Sequence, residues 1–140
     1  MNRLVKQRAR LTRVRKVQHN LAASAAAKAQ AEVAKLENSA ERLGQIRNEL
    51  GAGEGMSSGA HLASLGELAM RLDGARHGLG HTIGTARKVA AAREAQRMAA
   101  HRDEESAQRL EDRATALAAR DAARRAMAAR PKRREREELL

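Results

Sequence analysis

The apolar residues of the first fifty positions recur at helical spacings. Leu4, Leu11, Val14 and Leu21 stand seven, three and seven residues apart, and Ala29, Val33, Leu36, Ala40, Leu43 and Leu50 follow in a 4-3-4-3-7 rhythm. These are the a and d positions of a coiled coil. Between Leu21 and Val33 the stripe advances in steps of four through Ala25 and Ala29, as a stutter in the heptad repeat would require. The pattern predicts a helix over 3–50, roughly 70 Å long at ~1.5 Å per residue. Gly51, Gly53, Gly55 and Gly59, with Ser57 and Ser58 among them, then interrupt the rhythm and place a loop at 51–59. The serines suit the N-cap of a second helix, and Ser64 with Glu67 fits a capping box one turn later.

The second periodic segment covers 60–130 and stops at Pro131, the one proline. Leu65, Leu68, Leu72, Ala75, Leu79, Ala86 and Val89 carry its first seam, and Leu110, Ala114 and Leu117 a later one. Gly66, Gly74, Gly78, Gly80 and Gly84 each weaken a helix by ~1 kcal/mol relative to alanine. They imply either a break near 78–84 or a close approach of helices there. From Arg93 to Ala107 only Met98 is large and apolar, and the stripe is nearly lost.

Two long periodic segments joined by a short glycine loop predict an all-α fold, an elongated antiparallel two-helix coiled-coil hairpin with the second helix longer. The whole chain, 1–140, then forms one coiled-coil domain with a basic tail at 131–140. A turn centred near residue 55 pairs residue i with roughly 110 − i, so Leu43 meets Leu68, Leu36 meets Ala75, Ala29 meets Ile83 and Leu21 meets Val89. That register leaves about the last thirty residues without an intramolecular partner.

Composition supports helix over disorder and excludes several classes. Leu, Ile and Val are scarce for an ordered domain, yet Ala, Glu, Lys, Leu and Arg make up 88 of 140 residues, the signature of long helices. Alanine alone supplies 32 and there is no Phe, Trp or Tyr, so a compact globular core is excluded. Without cysteine there is no disulfide framework, zinc ribbon or thiol nucleophile, and the chain suits a reducing compartment. The longest apolar run, near Leu21 to Ala27, contains Ser24 and falls far short of the ~20 residues that span a membrane. No signal peptide is expected. The Arg-rich, acid-free start resembles a transit peptide, but the helical pattern runs through it without a break.

The net charge of +11 is local. Arg3, Lys6, Arg8, Arg10, Arg13, Arg15 and Lys16 give residues 1–20 seven bases and no acid, whereas 85–140 carry fifteen bases interleaved with ten acids. The first twenty residues therefore suit docking onto an acidic protein surface or anionic lipid. Nucleic acid is the obvious rival partner for so basic a chain. Against it stand the interleaved acids, the lack of aromatics to stack on bases, and the absence of a leucine zipper after a basic region. At the other end of the hairpin, Leu62, Leu65, Leu68 and Leu72 with Leu36 and Leu43 form the richest apolar cluster. Most of it belongs to the seam, and the remainder is a face for a partner helix.

Catalytic chemistry is not legible. Gly78, Gly80 and Gly84 have the wrong spacing for a dinucleotide loop, no strand precedes them, and no Gly-Lys-Ser/Thr sequence exists. His77 and His81, at i and i+4, lack a third ligand beyond Asp73 and read as exposed side chains. The scattered Ser, His and Asp residues form no triad that a thin hairpin would shelter. No enzyme, metal, cofactor or small-molecule substrate is expected.

The run Arg10-Leu-Thr-Arg-Val-Arg-Lys-Val-Gln18, with Leu21-Ala-Ala-Ser-Ala-Ala-Ala and Ala29-Gln-Ala-Glu-Val-Ala-Lys-Leu36, resembles the first helix of the FliJ family. That family comprises coiled-coil components of the flagellar export apparatus and is related to YscO-type proteins of type III secretion. The segment His61-Leu-Ala-Ser-Leu-Gly-Glu-Leu-Ala-Met-Arg-Leu72 is similar to the start of the family's second helix, and the basic end Arg130-Pro-Lys-Arg-Arg-Glu-Arg136 also fits. The resemblance implies a hairpin like the central stalk of rotary ATPases, cytoplasmic and held at the inner membrane through the export apparatus. Its open end, with Arg3 to Lys16, would dock in the hexameric export ATPase and promote its assembly and activity. Leu36, Leu43, Leu68, Leu72 and Ala75 would contact the membrane export gate, with export chaperones as further partners. The chain departs from the family in using leucine or alanine where the family has aromatics.

Overall fold

The computed structural model of the chain describes residues 2–51 and 58–130. They form two antiparallel helices, α1 (Arg3–Gly51, 49 residues) and α2 (Gly59–Ala128, 70 residues). The all-α hairpin and its longer second helix are as the periodicity predicts. Residues 52–57 of the expected loop, Ser57 included, and the basic tail at 131–140 lie outside the described residues.

Ser58 is the N-cap of α2. The His61 N–H donates to Ser58 Oγ at 3.2 Å and the Leu62 N–H to the Ser58 carbonyl at 3.0 Å. Ser64 instead turns its hydroxyl onto the Ala60 carbonyl at 3.1 Å, so the later capping box is not used. At the far end, the Arg130 N–H donates to the Met127 carbonyl at 3.4 Å, tightening the last turn just before Pro131. Neither a break nor a close approach occurs near 78–84. α2 is continuous there, no glycine among the described residues has positive φ, and a Cβ on Gly66, Gly74, Gly78, Gly80 or Gly84 would meet nothing within 4 Å. The surrounding alanines and cooperative propagation carry the helix across its weakest residues.

The chain falls into two compact units, one of Met1–His19 with Ala99–Leu140 and one of Asn20–Met98. In the second, Arg87 donates to Glu37 at 2.6 Å and Arg47 to Asp73 at 3.3 Å across the helices. These pairs set a register of roughly 122 − i, not 110 − i. Leu43 is therefore level with Leu79 and not Leu68, and Leu36 with Ala86 and not Ala75. The physical reason is charge and size. The expected register sets Glu37 level with Asp73, two acids, and leaves Arg47 and Arg87 without partners. The observed one forms two ion pairs and sets Val33 level with Ala90 and Ile83 level with Ala40, large against small. Gly59 to Met70 consequently has no α1 residue level with it, and Leu62 is 59% exposed.

In the first unit, Asn2 shares a shallow depression with Ala118, Asp121, Ala122 and Arg125, and Arg15 lies 3.7 Å from Asp103. α2 up to about Asp121 is thus level with the start of α1, so the stretch without a partner is shorter than the thirty residues the expected register leaves. The later seam agrees with the expected one at Ala114, which is buried, but its neighbour is Ala107, also buried, while Leu110 and Leu117 are exposed. On α1 the shielded residues step by three and four through Val5, Arg8, Thr12, Arg15 and His19, continuing the rhythm of Ala22, Ala26, Ala29 and Val33 without a stutter. Leu4, Val14 and Leu21 stand off that row, and Leu21 is 67% exposed.

Candidate docking surfaces and a histidine–carboxylate cluster

Helical spacing sorts the seven bases at the start of α1. Arg3, Lys6, Arg10 and Arg13, in 3-4-3 steps, share one face opposite the seam and are all exposed. Lys16 is exposed as well. Arg8 and Arg15 fall on the seam row and are half-buried, with Arg15 held by Asp103 and by Gln18, to whose Oε1 it donates at 3.1 Å. The first turn of α1 has no acid, so the positive end of the helix dipole adds to the bases around it.

A second surface in the same unit was not legible in the leucine pattern. Leu4 and Leu11 on α1, and Leu110 and Leu117 on α2, each precede a seam residue by one position, the g position of the heptad. In an antiparallel pair the g flank of one helix adjoins that of the other, so these four leucines line one side of the unit. Leu11 is half-buried and the other three are exposed. Val14 and Val17 are also exposed and, with Arg13 and Gln18, line a shallow apolar depression.

The residues expected at the export gate all lie in the Asn20–Met98 unit but do not form one patch. Leu36, Leu43 and Leu72 are half-buried on the seam, whereas Leu68 and Ala75 are exposed. Among the described residues at this end, the exposed large apolar side chains are Leu62, Leu68 and Met70 of early α2 and Ile46 of α1. In the same unit, a side-chain hydrogen bond from Arg97, 2.9 Å to Glu94 Oε2, holds the Glu94 carboxyl below its ordinary range, and the same bond raises Arg97.

The histidines divide differently from what spacing alone suggests. His77 and His81 are exposed and meet edge to face, ring centroids 5.1 Å apart. The cluster that the fold assembles is His19, His101 and Glu104. His19 occupies the seam row of α1, and its Nδ1 lies 2.8 Å from Glu104 Oε2 on α2. The His101 ring is 5.1 Å from that of His19 at an interplanar angle of 49°. Only the heptad frame, run backward from Ala26 through Ala22, points to His19; no local motif does.

No family model matches the chain, and no curated protein and no solved structure is significantly similar to it.

Proposed function

We propose that the chain is a non-catalytic coiled-coil component of the flagellar or type III protein export apparatus, as its resemblance to the FliJ family implies. The unit bearing the start of α1 docks into the hexameric export ATPase, and the early α2 end reaches the export gate. Export chaperones are further partners. The protein works in the cytoplasm, held at the inner membrane by its partners. Among the described residues no helix is long and apolar enough to cross a membrane.

The observation that carries this reading is the combination of surfaces in one unit. An acid-free helix start presents Arg3, Lys6, Arg10 and Arg13 to solvent, and outward-facing leucines flank its seam. A protein partner with acidic and apolar groups satisfies both, whereas a phosphate backbone satisfies only the first.

The test is stimulation of the cognate export ATPase. Replacing Arg3, Lys6, Arg10 and Arg13 together by glutamine abolishes stimulation, while Arg8→Gln with Arg15→Gln retains most of it. The rival reading, a basic alanine-rich coiled coil that binds nucleic acid, predicts shifts of duplex DNA at ~0.15 M salt with a steep salt dependence. DNA shifts without any effect on the ATPase would overturn the proposal.

A further inference from the structure

Three donor side chains of suitable chemistry converge across the two helices of the Met1–His19, Ala99–Leu140 unit. His101 and Glu104 are three residues apart on α2 and so project from neighbouring turns. His19 faces them from the seam of α1. Their ligand atoms all lie within 4.8 Å of one another. His19 Nε2 is buried and has no hydrogen-bond partner, although a buried ring nitrogen ordinarily has one. Local charge also favours a cation. Asp103, Glu104 and Glu105 are the one run of three acids in a chain of net charge +11, and the nearby Arg15 guanidinium is engaged by Asp103.

We propose that His19, His101 and Glu104 form a binding site for a divalent transition-metal ion, Zn2+, that staples α1 to α2. Two imidazoles and a carboxylate are a donor set that zinc accepts, with water completing the coordination. Zinc ligands at ~2.0–2.2 Å from the ion stand roughly 3.3 Å apart, inside the 4.8 Å that bounds the cluster. His101 is the most exposed of the three and has the most room to adjust. Its side chain is half exposed and, besides the His19 ring, meets Glu105, a second carboxylate beside the site, 3.3 Å from Nε2. This inference is independent of the proposed function, because it concerns a site between helices and not a docking face.

Calorimetric titration of the full chain with Zn2+ alone, in a non-coordinating buffer, tests it. One ion binds per chain, and His19→Ala, His101→Ala and Glu104→Gln each weaken binding roughly tenfold or more. His77→Ala with His81→Ala removes the competing i, i+4 pair and leaves binding unchanged. Saturating Zn2+ raises the thermal midpoint of the unmodified chain and not that of His101→Ala, whose exposed position leaves folding intact. The absence of saturable binding, or binding that survives His101→Ala and disappears in the His77/His81 variant, overturns the proposal.

Discussion

Replacing Ile83 by alanine should cost several times more stability than replacing Leu21, although the expected register paired both across the helices, Ile83 with Ala29 and Leu21 with Val89. Ile83 is 9% exposed and Leu21 is 67% exposed, and both belong to the Asn20–Met98 unit, so one unfolding transition reports on both. Each truncation removes three carbons at about 0.8 kcal/mol per buried methylene. For Ile83, nine-tenths buried, that is ~2 kcal/mol, slightly offset by the better helix propensity of alanine and increased by any cavity left behind. For Leu21, one-third buried, it is about 0.8 kcal/mol before a similar small offset, leaving roughly 0.5 kcal/mol.

With no aromatic residue in the chain, the assay is far-ultraviolet circular dichroism during thermal and urea unfolding. At about 3–5 °C per kcal/mol for a chain of this size, Ile83→Ala lowers the midpoint by roughly 6–10 °C and Leu21→Ala by about 2 °C. Equal losses, or a larger loss for Leu21→Ala, would refute the seam that runs through Ala22, Ala26 and Val33 and restore the one through Leu21.

Three further outcomes follow from the geometry. Because the chain lacks cysteine, nitroxide labels placed at positions 37 and 87 should give a short electron–electron distance, while labels at 37 and 73 should be about 20 Å more offset along the helix axis; a shorter 37–73 distance would restore the 110 − i register. Gly78→Ala and Gly80→Ala should each stabilise the protein by up to ~1 kcal/mol, since neither glycine has positive φ and an added Cβ meets nothing within 4 Å; a loss in urea unfolding would point to a packing role. Glu94 is depressed chiefly by the Arg97 hydrogen bond, so the pair contributes above the ordinary glutamate value and is lost as pH falls below it. Arg97→Gln should return the Glu94 carboxyl titration, followed by NMR, to the ordinary range.

Where the sequence pattern succeeds and where it fails has one cause, the double role of alanine. From Ala29 to Leu50 the seam holds Val33, Leu36 and Leu43, and a search for large apolar residues finds it. Toward the start of α1 the seam holds Ala22, His19, Arg15 and Thr12, and the same search follows Leu4, Leu11, Val14 and Leu21 onto another face. The postulated stutter is the step between those two faces. In α2 the error repeats with Leu110 and Leu117, which are exposed, whereas Ala114 is buried as expected and Ala107 beside it was passed over. The register could have been read from charge, because the apolar match at 110 − i aligned Glu37 with Asp73. Of the site residues, the seven bases at the start of α1 were visible as an acid-free run, but their division into an outward face and a seam pair needed the corrected frame. The same frame is what brings His19 opposite Glu104.

A seam of alanine with leucines beside it has an energetic consequence for docking. Ala107 and Ala114 bury little area, so the pairing in their unit gains less than a leucine seam would. Leu4, Leu110 and Leu117, between 37% and 56% exposed, keep the remainder available. At ~1 kcal/mol for each half-exposed leucine, covering the three offers a partner about 3 kcal/mol, a factor of roughly 100 in affinity that salt does not screen. The basic face of α1 offers the opposite kind of contact, one that fades as ionic strength rises. A nucleic-acid ligand draws on the second alone, while a protein partner draws on both. On the proposed reading, attraction by Arg3, Lys6, Arg10 and Arg13 therefore governs how fast the partner is found, and the leucine flank governs how long it is held.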